Sequence, residues 1–213
     1  AKSGRYIADD CEGGEYDVRW SGAPTDGVTD ATAAIADAVG TANRTIKFPL
    51  GSYLITTQVS LASNIKIVGP GTIVAGVAND RFGAVFYATN QSFIELDGLR
   101  AISGAGTNIL PYLLRADLTP NVTVRNCVVT NMGLLLVRGF LNPDLPDQLT
   151  NISATINGYD TTKQRNIKVI DNTCIGSAAK SSGDDSDYVD PHEGAVRIDY
   201  AQDVLVRGNV VRG

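Results

Sequence analysis

From Thr45 onward, apolar and polar residues alternate in short runs that resemble one another. They are Asn64-Ile65-Lys66-Ile67-Val68-Gly69, Phe93-Ile94-Glu95-Leu96-Asp97-Gly98, Asn121-Val122-Thr123-Val124-Arg125-Asn126, Asn166-Ile167-Lys168-Val169-Ile170-Asp171 and Asp203-Val204-Leu205-Val206-Arg207-Gly208. Period-two alternation predicts strands with Ile65/Ile67, Ile94/Leu96, Val122/Val124, Ile167/Val169 and Val204/Val206 facing one interior. A Gly, Asn or Asp closes each run, because these residues tolerate the left-handed backbone of a sharp turn. Successive runs lie about 28 to about 45 residues apart, a spacing that signals stacked repeats with insertions at their corners. The same alternation occurs in β-sandwiches, but their hairpins need turns at shorter and more regular intervals.

Before Thr45 the period is helical. Asp26-Gly27 gives a turn, and Asp30 is placed to cap a helix over about 30–39, whose Ala31, Ala34, Ile35 and Ala38 form one stripe before Gly40 ends it. The pattern divides the chain into a lead-in over 1–20, an N-terminal cap with the helix and first strands over 21–55, and rungs over 56–213. Trp20 is expected in the cap. Two excursions interrupt the rungs: Leu141 to Asp147, with Pro143 and Pro146, and the acidic Ser177 to Glu193. The final run has the same form as its predecessors, so the solenoid is expected to continue in a longer chain or be completed by another polypeptide.

Composition sharpens this picture. With 213 residues, 22 Gly, one Met and one Trp, the chain is long enough for a real core and favours turn-rich β structure over a helical bundle. A net charge of -5 argues against a nucleic-acid partner. No apolar run is long enough to cross a bilayer, so membrane insertion is not expected. Cys11, Cys127 and Cys174 are odd in number and irregularly spaced, which indicates neither a disulfide framework nor a zinc site; Cys127 and Cys174 read as small buried hydrophobes.

The phrase Val18-x-x-x-Gly22-Ala23-x-x-Asp26-Gly27-Val28-x-Asp30-x-x-Ala33-Ala34-Ile35, leading into Thr45-Ile46-Lys47-Phe48-Pro49-x-Gly51-x-Tyr53, resembles the N-terminal signature of the pectate-lyase superfamily. That superfamily includes phage tailspike depolymerases and alginate C5-epimerases. The resemblance implies an all-β, right-handed parallel β-helix with a short N-terminal capping α-helix. It also implies a tailspike-like, trimeric protein of a virion tail or the extracellular space that binds and degrades a bacterial surface polysaccharide. Other phage tail proteins are further partners on this reading. A secreted polysaccharide lyase or epimerase, and a virion adsorption module without catalysis, are the alternatives.

Candidate chemistry concentrates in Gly183-Asp184-Asp185-Ser186-Asp187-Tyr188-Val189-Asp190-Pro191-His192-Glu193-Gly194, which holds the chain's one histidine. Asp190-Pro191-His192 resembles the epimerase motif in which His and a nearby Tyr move the C5 proton, implicating Asp190 and His192, with Tyr188 offset by one position. Abstracting a proton alpha to a carboxylate needs a base and a group that holds the developing charge, roles for His192 and Arg197. Hydrolysis instead needs two carboxyl groups about 5 to 9.5 Å apart, for which Asp184, Asp185, Asp187, Asp190 and Glu193 supply pairs. The cluster reads equally as a solvated loop, or as a calcium site, although its spacing matches no EF-hand; no cofactor is otherwise implied. Arg100, Arg125, Arg138, Arg165, Arg197 and Arg207 lie on or beside the rungs, where outward members would hold acidic sugars through bidentate bonds. Tyr112, Tyr159 and Tyr188 are candidates either for stacking on sugars or for packing.

Overall fold

The alternating runs stack as coils of a right-handed parallel β-helix in the computed structural model, which describes residues 15–76, 83–103, 111–138, 164–176, 195–199 and 201–212. Three parallel sheets run along its sides. Sheet 1 contains β1 (Glu15–Asp17), β3 (Arg44–Lys47), β6 (Ile65–Val68), β9 (Ile94–Asp97), β12 (Val122–Arg125), β15 (Arg165–Ile170) and β18 (Gln202–Arg207). Sheet 2 contains β2 (Asp26–Asp30), β4 (Ser52–Ile55), β7 (Thr72–Ala75), β10 (Arg100–Ser103), β13 (Val128–Thr130), β16 (Thr173–Ile175) and β19 (Val210–Arg212). Sheet 3 contains β5 (Val59–Ser60), β8 (Ala84–Thr89), β11 (Tyr112–Asp117), β14 (Gly133–Arg138) and β17 (Val196–Asp199).

The five repeated runs are adjacent strands of sheet 1, and their register matches the sequence alignment residue for residue: Ile65 pairs with Ile94, Ile94 with Val122, Val122 with Ile167, and Ile167 with Val204. Their inward side chains from Ile65 to Val169 are buried in one continuous core. Each such Ile, Leu or Val contributes about 1.5–3 kcal/mol through burial alone. A left-handed residue stands just before β3, β6, β9 and β12, at Asn43, Asn64, Phe93 and Asn121, and at the second position of β15 and β18, at Asn166 and Asp203, with φ between 55 and 62°. Sheet 3 differs because β14 is buried on both faces, so its sequence Gly-Leu-Leu-Leu-Val-Arg shows no alternation.

Side-chain amides, that of Asn172 buried and that of Asn209 half-buried, clip the coils together at the turn from sheet 1 to sheet 2. Asn172 Oδ1 accepts the Cys127 N–H at 2.9 Å, and Asn172 Nδ2 donates to the Val124 carbonyl at 2.9 Å. Asn209 Oδ1 in turn accepts from Asn172 N and Nδ2, while its own Nδ2 donates to the Val169 carbonyl. Cys127 and Cys174 are buried free thiols, and burial pushes Cys127 up to about 12.

Helix α1 (Thr32–Val39) lies between β2 and β3 and packs against β5, where the first coil would otherwise supply a sheet 3 strand. It buries Ile35, Ala38 and Val39. The helix begins after Asp30, and Ala31 occupies the capping position without a side-chain bond. Asp30 supports it from one residue farther back, accepting the Thr32 N–H at 2.9 Å and the Thr56 hydroxyl at 2.8 Å. Trp20 lies in the 3-10 turn Val18–Ser21, half exposed and edge-on to Tyr16. At the opposite end, Val204, Leu205, Val206, Val210 and Val211 are exposed. Among the described residues, no helix is long and apolar enough to cross a membrane.

Candidate functional site

The outward face of sheet 1 carries an open groove of about 620 Å³ that runs across β3, β6, β9, β12 and β15. Two columns of side chains line it. One consists of the left-handed residues Asn43, Asn64, Phe93, Asn121 and Asn166; the other consists of the first outward strand residues Thr45, Lys66, Glu95, Thr123 and Lys168. Both columns follow from the fold: period-two strands point alternate residues outward, and parallel pairing in register stacks equivalent positions at about 4.8 Å per strand.

In the first column the amides bond along the stack. Asn64 Nδ2 donates to Asn43 Oδ1 at 2.9 Å, and Asn166 Nδ2 donates to Asn121 Oδ1 at 2.8 Å. Phe93 interrupts that ladder. Phe93 is 58% exposed and its φ is 59°, a conformation that costs an ordinary side chain about 1–3 kcal/mol. Leu118 is also left-handed, at φ 47°, but it is only 5% exposed and gains burial in return.

The charges on this face are unevenly committed. Glu95 takes Lys66 at 3.2 Å and Arg125 at 2.9 Å, and the same Arg125 nitrogen lies 2.8 Å from Asp97. Glu95 and Asp97 are therefore close together but both engaged by one guanidinium, which makes them an ion-paired cluster. Arg44 lies 5.2 Å over the Tyr16 ring at one end of the groove. Lys168, near the other end, makes no ion pair with a described residue.

A second polar cluster, largely buried, lies on sheet 3. Asp117 accepts Arg115 Nε at 3.0 Å and Nη2 at 2.7 Å, and Tyr87 donates its hydroxyl to the same carboxylate at 3.3 Å. Register places Asp117, Arg138 and Asp199 side by side on β11, β14 and β17. Arg138 is fully buried, and burial pulls its guanidinium below the ordinary arginine range while Asp117 opposes that shift. Arg197 donates to Asp199 at 2.8 Å, repeating the Arg115–Asp117 pairing two strands away. Charges of opposite sign thus alternate across β11, β14 and β17.

The arginines expected on or beside the rungs are divided among the sheets: Arg125, Arg165 and Arg207 belong to sheet 1, Arg100 to sheet 2, and Arg138 and Arg197 to sheet 3. Tyr112 is buried, with its ring against Gly133, so it packs and is not available to stack on a ligand. Tyr159, Asp184, Asp185, Asp187, Tyr188, Asp190, His192 and Glu193 lie outside the described residues. Among the described residues no group of three or more His, Cys, Asp or Glu could hold a metal ion. The groove residue that motif reading passes over is Phe93, although the aligned runs contain the signal: five of the six left-handed positions are Asn or Asp, and this one is Phe.

Residues 16–111 match the family described as rhamnogalacturonase A/epimerase, pectate lyase-like. No curated protein matches the sequence significantly. Among solved structures, the chain is similar to the pre-mature gene product 12 of bacteriophage phi29, with 19% identity, a TM-score of 0.56, and coverage of 92% of this chain and 29% of that one. A candidate glycosyl hydrolase of Parabacteroides merdae has 14% identity and a TM-score of 0.53, covering 92% of this chain and 95% of that one. The surface adhesin PfbA of Streptococcus pneumoniae has 16% identity and a TM-score of 0.52, covering 92% and 62% respectively. The chain therefore spans nearly all of one of these relatives and less than two thirds of the other two.

Proposed function

We propose that this chain, a right-handed parallel β-helix whose residues 16–111 match a pectate lyase-like family, binds a bacterial surface polysaccharide along sheet 1 and serves in a tailspike-like depolymerase of a phage tail. One observation carries the reading: an open groove crosses five rungs and presents amides, hydroxyls, ammonium groups and one aromatic ring in two straight columns. Extended polar ligands with apolar ring faces need such a mixture, because hydroxyls require hydrogen-bonding partners while sugar faces pack on aromatic rings. The phage protein and the candidate hydrolase among the similar folds support the virion setting and the substrate class. A trimer is proposed on the tailspike likeness alone.

The chemistry is assigned, as a proposal, to Asp190 and His192 with Tyr188, Glu193 and Arg197, His192 acting as the base and Arg197 holding developing charge. Asp184, Asp185, Asp187, Arg125 and Tyr159 are assigned to substrate binding. Incubating the protein with capsular or O-antigen polysaccharide and resolving the products distinguishes a cleaved chain, an unsaturated product, an inverted uronate and unchanged polymer. Binding followed by conversion is expected, with His192→Ala lowering conversion at least about 100-fold if His192 is the general base. Polymer that binds but is never altered would replace the depolymerase reading with an adsorption module, and polymer that never binds would remove the groove assignment.

A further inference from the structure

Phe93 occupies a position where an asparagine would serve the fold better. The flanking coils use Asn64 and Asn121 there, both left-handed and both bonded to the next coil outward. Asn or Asp in that conformation relieves backbone strain, whereas an aromatic side chain incurs it and is offset only by burial. Phe93 has no such burial: the residue is over half exposed and lines the groove. It also breaks the amide ladder: Asn64 Oδ1 and Asn121 Nδ2, the acceptor and donor that would continue the ladder, are left on either side of the ring without a partner among the described residues.

An exposed ring between an amide acceptor and an amide donor fits a sugar, whose apolar face packs on the ring while its hydroxyls reach the amides. The groove's charge narrows the class. Although the chain carries a net charge of -5, the lining contributes Arg44, Lys66 and Lys168 against Glu95 alone. Glu95 is already engaged by Lys66 and Arg125, and Lys168 lies two strands, about 10 Å, from the Phe93 rung. We infer that Phe93 is a sugar-stacking platform, with Asn64 and Asn121 on its flanks, and that Lys168 makes this groove selective for an anionic glycan. The inference rests on the glycan-binding reading above and assigns the subsite and the charge of its ligand.

The test pairs affinity with stability. The 213-residue protein, Phe93→Asn and Lys168→Ala are applied to an array of carboxylated, sulfated and neutral fragments of bacterial capsules, exopolysaccharides and O-antigens, and each variant is melted thermally. The wild type is expected to bind anionic fragments, with binding weakened about tenfold by Phe93→Asn, the scale of a lost aromatic contact. The same variant should melt at a higher temperature, because Asn relieves the backbone and joins the two amide pairs. Lys168→Ala should reduce the preference for anionic over neutral fragments. Anionic fragments that bind Phe93→Asn as tightly as wild type would overturn the stacking assignment while leaving glycan binding intact. Binding confined to neutral fragments would overturn the charge assignment, and no binding to any fragment would remove the groove reading together with this one.

Discussion

Asn172 shows how much a single residue contributes to this architecture. It is almost fully buried, its acceptor takes the Cys127 amide, and its donor reaches the Val124 carbonyl. Asn172→Ala leaves both backbone groups buried without those bonds and is expected to destabilise the protein by about 2–3 kcal/mol in urea denaturation. Asn209→Ala, on the last coil, should cost less, because its surroundings are partly open to water. Phe93 illustrates the opposite case, in which the side chain works against the fold. Phe93 stands within an aligned run and Asn172 just after one, but only the fold places Asn172 inside and Phe93 on a groove: asparagine serves buried clips and surface ladders alike.

At the scale of an element, the N-terminal cap has a titratable brace. Asp26 is held down to about 2 by the Thr29 hydroxyl and the amides of Val28 and Thr29, and Asp30 is lowered by the Thr32 hydroxyl and amide and by Thr56. A carboxyl whose folded value lies below its unfolded value of 3.8 stabilises fully above that value and loses its contribution as pH falls through about 2. Melting curves should therefore show the wild type losing part of its advantage over Asp26→Asn between about pH 4 and about pH 2, with no change in their difference from about pH 5 to pH 7. An advantage that stayed constant down to pH 2 would count against the brace. The helix was legible in the sequence because its apolar stripe has the right period, but its first residue was not, since an aspartate can support a helix from one position before the cap. The strands of sheet 3 were less legible than those of sheet 1. Leu134, Leu135, Leu136 and Val137 are all buried, so the alternation that marks the other strands vanishes there.

Across the whole molecule, stability is distributed along one axis, since each coil touches mainly its neighbours. Leu96 and Val206 illustrate the consequence: they occupy the same inward column, yet Leu96 is 0% exposed on a central coil and Val206 is 56% exposed on the last one. Leu96→Ala is expected to cost about 2–5 kcal/mol and Val206→Ala less than about 1 kcal/mol in chemical denaturation. Equal costs would show that the coils do not differ in packing as described. The overall architecture was legible because register-matched apolar pairs recur in the sequence; the groove was not, because its walls are assembled from residues far apart along the chain. Asn121 and Asn166 are 45 positions apart and still share a 2.8 Å bond, whereas Ser63 and Gln91 achieve the same adjacency over 28. Distance along the polypeptide is thus decoupled from distance in space, and a scaffold of this kind can acquire or exchange whole excursions at its corners while the rails that would hold a ligand keep their pitch.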